Sequence, residues 1–211
     1  MRLLRGLMLL CWGLVGCASG LTPTSDTANY GRKDGVVWVR GPWETIKPSR
    51  DPDEVIDQLC PAVMELPGAQ FGDYGREYCG LIYSLGDGTY YASYPSPLGD
   101  PQIGSISREK NCYVPRQVKD TRGQPAPLAD YHGHPWSPSP MIESRFDLLG
   151  ATQVFSVRIQ FDKACHIQKL IPYLKEDRPG ELYERRGKSW KLIGLIKPEN
   201  KASGRVTLVH D

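Results

Sequence analysis

The apolar positions of this chain follow three different periods, and each predicts a different element. Leu7 to Val15 form a nearly continuous apolar run behind Arg2 and Arg5, interrupted by Gly13. The run is shorter than the roughly 20 residues needed to span a bilayer. A basic start, a short apolar run and then small residues predict a secretory signal. Further on, Val55, Ile56, Leu59, Ala62, Val63 and Leu66 recur at helical spacing behind Asp51-Pro52-Asp53-Glu54. Acidic residues in a first turn favour a helix start through the dipole. Pro61 should kink or shorten this helix, and Pro67-Gly68 should end it.

Strand signals come next. Glu77 to Ser84 is apolar and aromatic, Gly86-Asp87-Gly88 is a hairpin turn, and Thr89 to Tyr94 is the returning strand. From Val154 to Phe161 the chain alternates, with Val154, Ser156, Arg158 and Gln160 opposed to Phe155, Val157, Ile159 and Phe161. Cys165 to Tyr173 reads as another strand. Glu181 to Glu184 and Trp190 to Ile196, around Arg186-Gly187-Lys188, read as a last hairpin. Residues 18 to 50 read as a polar tether with one short strand at Val36-Val37-Trp38-Val39. Residues 95 to 127 read as a long connection, and Leu128 to Asp147, dense in His, Pro, Ser and Trp, has no period. The expectation is an α+β fold: a curved mixed sheet, a flanking helix and a strand-rich C-terminal extension. Its parts are a signal over 1–16, a tether over 17–50, a main domain over 51–150, and a meander over 151–211 packed on that domain.

The signal ends in Leu14-Val15-Gly16-Cys17, which resembles the bacterial lipobox. The resemblance implies cleavage before Cys17, lipid on that cysteine and a membrane anchor of several acyl chains, each methylene contributing about 0.8 kcal/mol. Ala18 follows, where Asp would imply inner-membrane retention, so the implied address is the outer membrane.

Removing residues 1–16 from 211 leaves 195, enough for one domain with a modest core. Arg2 and Arg5 leave with the signal, so the 26 basic residues fall to 24 against 24 acidic ones. That balance gives no argument for nucleic acid. Besides Cys17, the mature chain holds Cys60, Cys79, Cys112 and Cys165, which permit two disulfides in three connectivities. Cys79 lies on the first apolar strand and Cys112 in the connection that must return past it. Pairing those two is therefore favoured, leaving Cys60 for Cys165.

The chemistry concentrates in His132-Gly133-His134-Pro135. Two histidines one residue apart in extended backbone point to the same side and can grip one metal ion. Zinc suits neutral imidazoles, and its third ligand is commonly a carboxylate or thiolate. Ser144-Arg145-Phe146-Asp147 lies downstream, and Glu77 opens Glu77-Tyr78-Cys79-Gly80-Leu81-Ile82 upstream. Together these resemble the JAMM (MPN⁺) metallopeptidases, whose signature is an early Glu, then His-x-His-Pro, then Ser-x-x-Asp. The likeness extends to an uncharacterised bacterial branch of that family found in secreted and Rhs-type proteins. It covers roughly residues 53–150. It implies a core of the JAMM and cytidine-deaminase kind, Zn²⁺ held by His132, His134 and Asp147, proton transfer by Glu77, and an oxyanion contact from Ser144. The implied activity is hydrolysis of an amide or isopeptide bond in a peptide, cell-wall or protein substrate of the envelope.

Two positions depart from the pattern. Eight residues separate Pro135 from Ser144, a longer spacer than the family's, and Gly133 replaces its usual Ser or Thr. The alternative carboxylate ligand is Glu143. The alternative function is a non-catalytic envelope lipoprotein or interaction module on the same scaffold. His166 and His210 read as incidental, Trp136, Trp190 and Tyr90-Tyr91 as packing, and Arg185-Arg186-Gly187-Lys188 as a solvated turn.

Overall fold

The computed structural model describes residues 28–99, 111–135 and 155–209. The expectations placed on Cys17, Trp136, Glu143, Ser144, Asp147 and His210 lie outside the described residues, as does the signal. Strands dominate this mixed α/β structure at 40%, with one α-helix, so the coarse class agrees with the expected α+β arrangement.

The helix, α1 (Pro52–Met64), starts where its first-turn chemistry demands. The Asp51 side chain accepts the Asp53 N–H at 2.9 Å, Pro52 occupies the first turn where no donor is needed, and Asp53 and Glu54 face the positive end of the dipole. Pro61 does not interrupt it. Its ring is on the exposed side, while Val55, Ile56, Leu59, Cys60 and Val63 are buried on the other. Tertiary packing of that stripe outweighs one missing backbone hydrogen bond.

The stretch before the helix does more than tether. Strands β1 (Tyr30–Lys33) and β2 (Val36–Arg40) form an antiparallel hairpin, and β2 pairs in parallel with β5 (Gln117–Lys119). Val37, Val39, Trp43 and Ile46 are buried. The expectation of a polar tether through residue 50 is corrected by this packing. Polar β1, with Gly31 and Lys33 in it, gives no alternating signal because it lies at the edge of the three-stranded sheet.

The main sheet has eight strands. In chain order they are β3 (Cys79–Ser84), β4 (Tyr90–Ala92), β6 (Ala126–His134), β7 (Val157–Asp162), β8 (Ile167–Ile171), β9 (Gly180–Arg186), β10 (Ser189–Ile196) and β11 (Thr207–Leu208). Their spatial order is β11-β10-β9-β8-β7-β6-β3-β4. The pair β6–β7 is parallel and its neighbours are antiparallel, so the sheet is mixed and the meander from β7 to β11 extends it at one side. Helix α1 packs on one face. Ala129, Tyr131, Ile159, Phe161 and Ile167 meet Val55, Ile56, Leu59, Cys60 and Val63 there, together with Trp43 and Ile46. A smaller cluster of Leu170, Leu182 and Ile196 lies on β8 to β10.

Two disulfides join Cys60 to Cys165 and Cys79 to Cys112, the favoured connectivity. The first ties α1 to the turn after β7. The Arg185 side chain is no solvated turn residue. It bonds Asp53 at 3.0 Å and Asp57 at 2.8 Å, and Trp190 donates to Asp53 at 2.8 Å, clamping the helix start onto β9 and β10.

Candidate metal centre

The register of β6 brings the site together. Residues of one parity, Ala129, Tyr131 and Gly133, face the helix, so Asp130, His132 and His134 project from the opposite face. Their cross-strand neighbours share that face. His132 pairs with Cys79 on β3 and Gln160 on β7, Asp130 pairs with Leu81 and Arg158, and His134 pairs with Asp162. Gln160 pairs in turn with Gln168 on β8. All these polar side chains are buried.

The two imidazoles lie side by side, with ring centroids 4.9 Å apart and planes tilted by 58°. Glu77, two residues before Cys79, continues the register to His134, where its Oε1 lies 3.3 Å from His134 Nε2. Glu77 Oε2 accepts the Cys112 backbone N–H at 3.0 Å. The Cys79–Cys112 disulfide therefore has a local consequence. It ties the connection to β3 beside the position where the connection's amide meets the Glu77 carboxylate.

The remaining polar side chains on this face are mutually paired. Arg158 Nε donates to Asp130 Oδ1 at 2.9 Å, with both side chains almost wholly buried. Gln160 Nε2 donates to Gln168 Oε1 at 2.7 Å. Asp162 Oδ2 meets His166 Nδ1 at 2.8 Å, while its Oδ1 accepts the N–H groups of Ala164 and His166. His166, expected to be incidental, thus shapes the turn after β7. On the helix side, burial pushes the Tyr131 phenol above its ordinary range, although its hydroxyl donates to the Ser93 carbonyl at 2.8 Å.

Gly133 has a steric reason. A Cβ there would lie 2.7 Å from Phe161 Cε2 and 3.3 Å from Met64 Cε. The Phe161 ring fills the place that a Ser or Thr side chain would need.

Of the five residues expected in the site, the structure brings Glu77, His132 and His134 together; Ser144 and Asp147 lie outside the described residues. Among the described residues, no group of three or more side chains is arranged to hold a metal ion. The donor set nevertheless fits zinc in kind. Two buried imidazoles on one face would offer a zinc ion two nitrogen ligands, and Glu77 contacts His134 from the side, where an outer carboxylate would stand. Arg158, Gln160, Asp162 and Gln168 were not expected in the site. Their signal was the alternation of β7, which placed Arg158 and Gln160 on one face without showing that His132 shared it.

No protein-family model, no curated protein and no solved structure matches this chain. The functional reading therefore stands on the residues themselves. Among the described residues, no helix is long and apolar enough to cross a membrane.

Proposed function

We propose that this chain is an exported, lipid-anchored, zinc-dependent hydrolase of an amide or isopeptide bond in the bacterial envelope, with a core of the JAMM kind. The observation that carries the reading is the Glu77 carboxylate beside His134, with the His132 ring next to it on one buried face. A carboxylate just ahead of β3 and two imidazoles on β6 are groups of the kind that metal-assisted hydrolysis uses. Two disulfides support passage through an oxidising compartment.

In this reading His132 and His134, with Asp147, hold Zn²⁺. When bound, zinc supplies a Lewis acid that polarises a carbonyl and acidifies water. Glu77 takes a proton from the attacking water and gives it to the leaving amine. The Cys112 N–H keeps one carboxylate oxygen in place and leaves Oε1 turned to His134. Ser144 donates to the developing oxyanion. Lipid on Cys17 confines the activity to the membrane surface, with the outer membrane the proposed address.

The test compares variants on zinc content and on turnover of peptide, isopeptide and cell-wall amide substrates. His132→Ala and His134→Ala should lose metal and turnover together. Glu77→Gln should keep the metal and lose turnover, because an amide cannot accept the proton. A Glu77→Gln protein as active as the original would overturn the hydrolase and leave the non-catalytic envelope module.

A further inference from the structure

Three aromatic side chains are exposed among the described residues: Phe71 at 69%, Tyr74 at 50% and Tyr30 at 37%. Phe71 and Tyr74 lie three positions apart in the short 3-10 helix Ala69–Tyr74, whose geometry stacks such residues on one side. The segment that displays them is held at both ends. Gly68 N–H donates to the Tyr78 hydroxyl at 3.2 Å, Ala69 N–H to the Leu66 carbonyl at 2.9 Å, and Arg76 N–H to the Gly68 carbonyl at 2.8 Å. Tyr30 belongs to the same corner of the domain. Backbone hydrogen bonds run from Arg40 to Asn29 and from Tyr94 to Arg40, and the Ser96–Cys79 bridge stands next to Tyr78. Burial raises the Tyr78 phenol above its ordinary range, and the Tyr30 phenol nearby adds to that rise.

A clustered set of exposed rings marks a contact surface, and the chain's own attachment point names the partner. Ala28, where the described chain begins, precedes Asn29 and Tyr30 and stands eleven positions after Cys17. Eleven residues reach at most about 40 Å, roughly one diameter of a domain this size. Lipid on Cys17 therefore keeps the bilayer close to the surface where the chain enters. We infer that Phe71 and Tyr74, with Tyr30 beside them, seat the domain on the lipid surface that holds Cys17. Aromatic rings favour the boundary between headgroups and acyl chains, where a tyrosine keeps its hydroxyl in water. Arg76, exposed just beyond the short helix, brings a guanidinium to the lipid phosphates. The contact sets the height of the candidate site above the bilayer, because Glu77 directly follows Arg76. The inference rests on the proposed lipid anchor and is independent of zinc and of hydrolysis.

The test places para-fluorophenylalanine, nearly the shape of the natural ring, at position 71 of the lipidated full chain, and in a second sample at position 208. Leu208 is also exposed, at 45%, but it lies on β11, at the opposite edge of the main sheet from β3 and β4. On phosphatidylcholine bicelles carrying nitroxide on their acyl chains, the fluorine at 71 should relax several-fold faster than the fluorine at 208. Tyr30→Ser with Tyr74→Ser should remove most of that enhancement. Equal relaxation at the two positions, in a chain whose Cys17 carries lipid, would overturn the inference and leave the anchor standing. A doubled chain mass with position 71 shielded from the nitroxide would overturn it too, since a second copy would then occupy the patch. Should mass spectrometry find Cys17 unmodified, the anchor falls separately. Enhancement confined to position 71 would still sustain the contact in that case, and its absence would overturn it.

Discussion

The two faces of the eight-stranded sheet are made by the same strands, yet they obey different rules. On the helix face, β6, β7 and β8 present Tyr131, Ile159, Phe161 and Ile167 to the apolar stripe of α1. On the other face, the intervening residues are Asp130, His132, His134, Arg158, Gln160, Asp162 and Gln168, equally buried, with Leu170 the apolar exception opposite Arg158. The helix face is held by shape and by the removal of apolar surface from water, at roughly 25 cal/mol per Å². The site face is held by pairing, since each buried polar group needs a partner to offset its desolvation. A stabilising core needs only the first kind of face. A sheet that also buries the second maintains a costly arrangement, which is how functional sites commonly differ from the scaffold around them.

The largest effect that tests this contrast comes from the helix side. Removing the Cys60–Cys165 bridge with paired alanines opens a link of sequence separation 105. Chain-entropy reasoning puts its contribution at about 4.7 kcal/mol. Removing Cys79–Cys112, with separation 33, should cost less, about 3.7 kcal/mol. Denaturation midpoints of the two double variants give the order directly, and the reverse order would show that the helix is not the better anchored of the two. The shorter bridge should carry a second phenotype, a displaced Glu77, because its loss frees the Cys112 amide.

The next effect distinguishes the faces by the behaviour of pairs. Arg158→Leu strands a buried Asp130 carboxylate and should cost about 3–5 kcal/mol. Adding Asp130→Leu should recover most of that loss, since two apolar groups replace the ion pair. Phe161→Ala on the helix face should cost a similar amount, about 3–5 kcal/mol, with no second substitution of this kind to rescue it. Chemical denaturation of the single and double variants measures the difference. Equal, additive losses on both faces would end the distinction.

The smallest effect lies where the faces meet. Gly133→Ala inserts a Cβ against Phe161 and Met64 while both flanking histidines stay on the other face. Overpacking of this size costs about 1–3 kcal/mol. A thermal midpoint unchanged by Gly133→Ala would mean the Phe161 ring does not fill that space.

The helix face was legible in the sequence and the site face was only partly so. The stripe from Val55 to Val63, the Asp51 cap and the hairpin turn at Gly86-Asp87-Gly88 follow local rules that do not depend on the rest of the chain. Strand β6 hid itself. Both of its sides are buried over 129–134, and its site-facing positions are polar, so apolar residues show no period there. His132 and His134 stood out by chemistry, and Glu77 by its place before an apolar strand. Gln160 and Gln168 could not be placed beside them without the parallel pairing of β6 and β7 across a long connection. The role of Arg185 is hidden for a similar reason, since Asp53 and Asp57 lie more than a hundred positions away. Local periodicity reports which side of an element is apolar. It does not report which elements are neighbours.

The central claim is that His132 and His134 hold a metal ion. Its most direct measurement is zinc titration of the chelator-stripped full chain by calorimetry, repeated with His132→Ala, His134→Ala and the double variant. The account predicts one zinc per chain, lost in each histidine variant. No zinc bound by the original chain, or equal binding by the double variant, would contradict it.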